Sequence, residues 1–196
     1  LIYDGTKYIS IFLSFIVFLL IGNSSLLLKV YMGPDYQILS LWLSIWLLTV
    51  LLTLHKSPVD GLILSSGKTS FLLYTSAISC ILSLPITIWF AEQFNIGAAV
   101  IGYAVYMAIQ LGCYYLYYIP KILKLNSFKI FFSSFFPSVI IGLLACTVAY
   151  FIREYITIEN DLVSIFVNSC IIAAVFSILI YLLGSPLISS NNLNGL

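Results

Sequence analysis

Long apolar runs separated by short polar segments dominate the pattern of this chain. Six runs contain no charged residue, and each is long enough to cross a bilayer as a helix, because a transmembrane helix needs roughly 20 apolar residues to cover about 30 Å of hydrocarbon. The runs lie at 8–28, 36–54, 69–91, 96–119, 130–152 and 162–184. They do not alternate with period two, so a barrel is not indicated. The pattern predicts an all-α, polytopic integral membrane protein, with a six-helix domain at 1–184 and a polar tail at 185–196.

Basic residues are divided unevenly between the two sets of connecting segments. Six of the eight lie on one side of the predicted membrane: Lys7, Lys56, Lys68, Lys121, Lys124 and Lys129. Lys29 and Arg153 lie on the opposite side. Short loops rich in Lys and Arg tend to remain in the cytoplasm. We therefore expect both ends of this chain, including the 185–196 tail, to be cytoplasmic.

Composition excludes several classes of protein. With 62% hydrophobic and 8% charged residues, a water-soluble domain of this length could not bury its apolar surface. The net charge of +1, without a basic arm, argues against a nucleic-acid partner. The four cysteines lie inside apolar runs and there is a single histidine, so we expect no metal site, no cofactor and no catalytic residue. Since the chain begins at Leu1 rather than Met, we expect it to be a fragment that lacks an N-terminal portion.

Polar residues within or near the spans are the candidates for function. Asn23, Gln110 and Asn168 are expected either to form hydrogen bonds between helices or to line a substrate path. Lys29 lies near the outer end of the first helix. It can extend its ammonium to the interface, or it can place a cation in an aqueous cavity that attracts an anionic substrate such as a phosphate.

Prolines indicate where helices bend or break. Pro58 predicts that the second helix breaks and then resumes, because apolar residues 62–64 follow it. Pro85 in the third helix removes a backbone hydrogen bond and predicts a kink. In transporters such a kink can act as a hinge, whereas a purely structural kink is the alternative.

Several short motifs occur in a familiar order along the chain. These are KVYMGPDY at 29–36, a Gly67-Lys68 pair before the third span, GAA at 97–99, YYIPK at 117–121 and FFP at 135–137. Together they resemble the C-terminal part of a Wzx-type polysaccharide or O-antigen flippase. That superfamily also contains MATE-type multidrug exporters and lipid II flippases. The resemblance extends over residues 8–184, but Ser76, Ser79 and Ser83 occupy the region where the family often has an asparagine.

The resemblance implies a function and a set of partners. It implies that this chain is the C-terminal part of a larger helical transporter in the bacterial inner membrane. Such a transporter moves an undecaprenyl-diphosphate-linked oligosaccharide from the cytoplasmic to the periplasmic leaflet by alternating access. The implied partners are that lipid-linked glycan, membrane lipids and the N-terminal lobe of the same protein. Asn23, Lys29 and Gln110 are the substrate-path candidates, and Pro85 is the hinge candidate.

Other functions fit the sequence less well. A multidrug or cation exporter of the same superfamily should have an ion-coupling carboxylate within a helix, and the six spans contain none. A membrane glycan polymerase or ligase, the enzyme alternative, usually needs a sizeable outer loop with Arg or His, whereas the longest outer connection here is the short one around Arg153–Asp161. A scaffold or membrane anchor would need a soluble module to hold. We therefore predict a transporter rather than an enzyme.

Overall fold

The computed structural model describes residues 2–65, 67, 69–155, 158 and 160–189. These residues form nine α-helices, and they include no β-strand. In chain order the helices are α1 (Ile2–Gly22), α2 (Ser24–Met32), α3 (Ser40–Leu54), α4 (Ser57–Ser65), α5 (Ser70–Phe94), α6 (Ile96–Cys113), α7 (Ser127–Ile130), α8 (Phe136–Tyr155) and α9 (Asp161–Ser189). The all-α prediction is confirmed.

Six helical stretches are long and apolar enough to cross a membrane. They are Asp4–Gly22, Pro34–Leu54, Ser70–Phe94, Ile96–Ile122, Ser127–Arg153 and Asp161–Leu182. Each overlaps one of the predicted spans, so the chain has the helices of a multi-pass membrane protein. The first stretch ends at Gly22 rather than at 28, because the helix is interrupted there. The last helix continues to Ser189, past the predicted boundary at 184, and residues 190–196 of the predicted tail lie outside the described residues.

Three short segments next to the α-helices have tighter or wider turns than an α-helix. Pro34–Leu39 forms a 3₁₀ helix after Gly33, whose φ of +112° favours glycine. Tyr114–Ile122 and Phe131–Phe135 are π-helical, and they extend α6 and precede α8 respectively. Helices of the π type are rare and commonly occur at functional sites. The π-helical segments have no signal in the apolar pattern.

The second predicted helix breaks where expected. It divides into α3 and α4, with His55 and Lys56 between them. Pro58 is the second residue of α4, where a missing backbone N–H costs little. Lys68, one of the residues on which the predicted orientation depends, lies outside the described residues.

The chain divides into two compact units. Unit 1 comprises Leu1–Ser10 and Ile45–Ser134, and unit 2 comprises Ile11–Ser44 and Phe135–Leu196. One buried hydrophobic cluster of unit 1 consists of Val59, Ile63, Tyr114, Tyr118, Ile119 and Ile130. A buried hydrophobic cluster of unit 2 consists of Ile141, Ala145, Ala149, Ile172 and Phe176. Many large apolar side chains outside these cores are exposed, as is expected of helices whose outer faces contact lipid.

Candidate functional site

A buried asparagine interrupts the first spanning helix in unit 2. Asn23 separates α1 from α2, and its backbone has φ −109° and ψ 4°. Asn23 is only 1% exposed. The side-chain Nδ2 donates to Leu19 O at 2.9 Å, so the amide replaces a backbone donor that the interruption removes. An asparagine in an otherwise apolar run thus both breaks the helix and satisfies one of the carbonyls that the break leaves free.

The interruption is tied to α9 by a network of amide hydrogen bonds. Asn23 Nδ2 also donates to Ser169 Oγ at 3.1 Å. Asn168 Nδ2 donates to Asn23 Oδ1 and to Gly22 O, both at 3.0 Å. The amide group of Asn23 is therefore fully used by protein partners. This geometry favours the interhelical hydrogen-bonding interpretation of Asn23 and Asn168, and a role of Asn23 in a substrate path stays a prediction.

Lys29, the second path candidate, forms an ion pair in unit 2. Its Nζ lies 2.8 Å from Asp161 Oδ1 and 2.7 Å from Oδ2. The side chains are 37% and 32% exposed, so the pair is partly solvated. Asp161 is the first residue of α9, where a carboxylate interacts favourably with the helix dipole. Lys29 thus connects α2 to α9, and the two roles expected from the sequence stay predictions.

Close contacts hold α1 against α8 in the same unit. Ser14 Oγ donates to Ser138 Oγ at 3.1 Å, and Cys146 Sγ donates to Phe18 O at 3.0 Å. Gly142 faces the ring of Phe18 so closely that an added Cβ would lie 2.0 Å from a ring carbon. The cysteine therefore serves packing, and no disulfide involves any of the four cysteines.

Gln110, the third path candidate, belongs to unit 1 and links α6 to α5. Its Nε2 donates to Ser76 Oγ at 2.7 Å and to Tyr106 OH at 2.8 Å. Further along the same helix pair, Gly102 lies against Thr87. The structure thus places Asn23 and Lys29 on neighbouring helices that both contact α9, and Gln110 in the other unit.

Pro85, the hinge candidate, lies inside α5, which continues as one helix from Ser70 to Phe94. Hydroxyl groups bond to backbone carbonyls on both sides of it: Ser83 Oγ donates to Cys80 O at 3.1 Å, and Thr87 Oγ1 donates to Ser83 O at 2.9 Å. Such hydroxyls help satisfy the backbone near a proline in a membrane helix. Hinge motion at Pro85 stays a prediction.

A buried histidine and its tyrosine partners form a cluster that the sequence analysis did not identify. His55 lies in the break between α3 and α4, fully buried, and its Nε2 hydrogen-bonds to Tyr115 OH. Tyr114 OH donates to Lys56 O at 3.2 Å, and Lys56 Nζ lies 5.0 Å from the Tyr114 ring centroid. Removal from water lowers the pKa of His55 to about 4, because burial disfavours the charged imidazolium. The one signal in the sequence was a histidine beside a predicted helix break.

Cavities lie beside both groups of residues. In unit 1 an apolar cavity of about 340 Å³ is lined by side chains of the π-helical segments, among them Tyr115, Phe131 and Phe132. In unit 2 a cavity of about 440 Å³ lies between α8 and the Asn23–Asn168 network, and Arg153 lines it. Within the described part of the chain, no three His, Cys, Asp or Glu side chains come together as metal ligands.

Comparison with known protein families, with curated proteins and with solved structures finds no match to this chain.

Proposed function

We propose that this chain is part of a transporter that moves lipid-linked oligosaccharide across a bacterial inner membrane by alternating access. The proposal joins two kinds of support: the resemblance of the motifs at 29–36, 97–99, 117–121 and 135–137 to Wzx-type flippases, and the six helices that can span a membrane. The substrate in this proposal is an undecaprenyl-diphosphate-linked repeat unit. The partners are membrane lipids and the N-terminal lobe of the same transporter.

The observation that carries the proposal is the buried helix interruption at Asn23. In transporters, discontinuous spanning helices form the substrate and ion sites near the interface between repeats, because irregular backbone is tolerated only where protein or a cavity satisfies it. Here the interruption is satisfied by Asn168 and Ser169 on α9, and the 440 Å³ cavity lies beside it. The side chains at the interruption are uncharged. They can therefore exchange hydrogen-bond partners during transport without moving a charge through lipid.

We further propose an orientation, with both ends of the chain in the cytoplasm. It follows from the basic residues: Lys56 and Lys124 lie in connections, and Lys121 and Lys129 lie at the ends of the two spans that border Lys124. A cysteine introduced at Lys124 should then react with a membrane-impermeant thiol reagent only after the cells are opened. One introduced at Asp35 should react in intact spheroplasts.

Deletion of the gene from its bacterium tests the transport proposal. We expect lipid-linked repeat units to accumulate on the cytoplasmic leaflet and surface glycan to fall, with both effects reversed by a plasmid copy of the complete reading frame. Immunoblots of membranes should confirm equal expression of the plasmid copies. Normal surface glycan without accumulated intermediate would contradict the proposal.

A further inference from the structure

The apolar cavity of unit 1 reaches the outer surface of its helices. It has a volume of about 340 Å³, and three residues that line it, Leu116, Phe128 and Phe132, are 77%, 74% and 54% exposed. An apolar cavity of about 150 Å³ can hold a benzene ring, so one of this size can hold an apolar group of about a dozen carbon atoms. The cavity therefore has room for part of a hydrocarbon chain.

The polar side chains that line this cavity already have partners within the protein. Tyr115 OH is hydrogen-bonded to His55 Nε2, and Ser127 Oγ donates to Tyr115 O at 2.6 Å. The other described residues that line the cavity are leucines, phenylalanines and a glycine, and none of them carries a charge. A polar ligand would lose its hydrogen bonds to water in such a space and regain few of them. The lining therefore favours hydrocarbon over a polar ligand.

The cavity lies where three spanning stretches begin or end. Its lining includes Leu52 near the end of the second stretch, Leu116 near the end of the fourth and Phe128 near the start of the fifth. The ends of spanning helices lie close to the boundary between hydrocarbon and headgroups. A cavity at this depth that is open to the surface is within reach of the acyl chains of the neighbouring lipids.

The connection beside the cavity is positively charged. Residues 121–129 include Lys121, Lys124 and Lys129, all of them exposed, and contain no Asp or Glu. Phe128 belongs to this segment and also lines the cavity. Each lysine next to a membrane surface increases the affinity for anionic lipid by about fivefold. The charge beside the cavity therefore favours a lipid with an anionic headgroup.

We propose that the unit 1 cavity binds one acyl chain of an anionic membrane phospholipid, such as phosphatidylglycerol. The acyl chain fills the space between the ends of the spanning helices, and the headgroup remains at the membrane surface near the 121–129 segment. The site does not depend on the transport proposal, since a chain that moves no glycan would still hold this lipid.

Photolabelling locates the acyl chain on the unaltered protein. Phosphatidylglycerol with a diazirine in one acyl chain should label residues 111–116 and 127–132 of the purified full chain more heavily than the exposed face of α5 at Ile81 and Ile88. Unlabelled phosphatidylglycerol should remove this excess. Equal labelling of the two regions would overturn the proposal. Displacement by undecaprenyl phosphate but not by phosphatidylglycerol would also overturn it, because the cavity would then hold a prenyl chain.

Native mass spectrometry in detergent tests the preference for an anionic headgroup. Phosphatidylglycerol should bind at least about fivefold more tightly than phosphatidylcholine, which has no net charge, when both carry the same acyl chains. Lys124→Gln should weaken phosphatidylglycerol binding about fivefold and leave phosphatidylcholine binding unchanged. Lys29→Gln, which removes one positive charge from unit 2, is the control and should change neither. Equal binding of the two lipids, or an equal effect of the two variants, would contradict the proposal.

Discussion

Each unit contains a helix interruption built around a buried polar side chain, and the two interruptions are satisfied in different ways. In unit 2, Asn23 interrupts an apolar span and exchanges hydrogen bonds with Asn168 and Ser169. In unit 1, His55 lies just past the end of a span, bonded to Tyr115 and nearly parallel to its ring. The first uses amides, which donate and accept without carrying charge. The second uses an imidazole, which can gain a proton.

This difference determines how each unit should respond to its surroundings. An amide network keeps its hydrogen bonds at any pH, so the unit 2 interruption should depend on the number and geometry of its bonds. A buried imidazole must stay neutral, so the unit 1 interruption should depend on pH. Substitutions at one interruption that leave the other intact can distinguish stabilisation by amide hydrogen bonds from stabilisation by a neutral imidazole.

The largest expected effect is the dependence of stability on pH through His55. Burial lowers the pKa of His55 from 6.5 to about 4, so in this range the unfolded chain binds a proton more readily than the folded one. The contribution of the neutral imidazole is complete above about pH 6.5 and is lost as the pH falls toward 4, by about 3 kcal/mol in total. Equilibrium unfolding in detergent between pH 7.5 and 4 measures this loss.

A matched variant isolates the effect of the histidine from that of the charged groups beside it, such as Asp60, whose Oδ2 lies 3.2 Å from Lys56 Nζ. His55→Gln should be less stable at pH 7.5, yet it should lose much less stability on acidification than the unaltered chain. If both proteins lost the same free energy between pH 6.5 and 4, His55 would not be the titrating group.

The next effect concerns the glycine at the closest helix contact of each unit. Gly142→Ala in unit 2 would place a Cβ 2.0 Å from the buried ring of Phe18, so we expect it to destabilise the fold by about 2 kcal/mol. In Gly102→Ala in unit 1, the added Cβ would lie 1.7 Å from the Thr87 hydroxyl oxygen. Threonine is smaller than phenylalanine, so we expect this substitution to reduce the stability less. Thermal unfolding in detergent ranks the variants.

Gly112 supplies the control for both substitutions. It lies within α6, and an added Cβ there meets no atom within 4 Å. Gly112→Ala should therefore be neutral or stabilising, by up to about 1 kcal/mol, because alanine favours the helix. A loss of stability at Gly112 as large as at Gly142 would mean that backbone freedom, and not the contact with Phe18, governs these positions.

Removing the amide of Asn23 tests the unit 2 interruption directly. Asn23→Leu loses the bonds to Leu19 O, Ser169 Oγ and Asn168 Nδ2, and hydrogen bonds in membrane helices average about 0.6 kcal/mol, so we expect a loss of roughly 1.5–2 kcal/mol. Gln110→Leu, which loses two bonds in unit 1, should cost about 1 kcal/mol. The loss for Asn23→Leu should not vary with pH between 5 and 8, in contrast to that for His55→Gln.

The sequence predicted the spans well because apolar length alone determines them. It also located the break near Pro58, since proline acts locally. It did not locate the break at Asn23, because a single asparagine in an apolar run fits a continuous helix until its partners on α9, more than 140 residues away, are known. The sequence also did not predict the π-helical turns at Tyr114–Ile122, because their apolar and aromatic residues fit an α-helix equally well.

Candidate residues were found by type, but their roles depend on distant contacts. Asn23, Lys29 and Gln110 were selected as polar groups in or near lipid, and the structure gives each a protein partner. The pairing of Lys29 with Asp161 joins positions 132 residues apart, which no local pattern reveals. Tyr114 and Tyr118 are buried in unit 1, while Tyr117 between them is exposed, and the run of tyrosines in the sequence does not distinguish these positions.

The smallest expected effect is that of the Lys29–Asp161 ion pair. Because both side chains are about one-third exposed, Lys29→Gln should cost less than about 1 kcal/mol, and the cost should shrink as salt rises. The double variant with Asp161→Asn measures the pair energy as the departure from additivity.

Glycan export by Lys29→Gln in the complete transporter then distinguishes two roles of Lys29. Normal export is expected of a lysine that only joins α2 to α9, whereas impaired export by a stable, normally expressed protein would assign Lys29 to the substrate path.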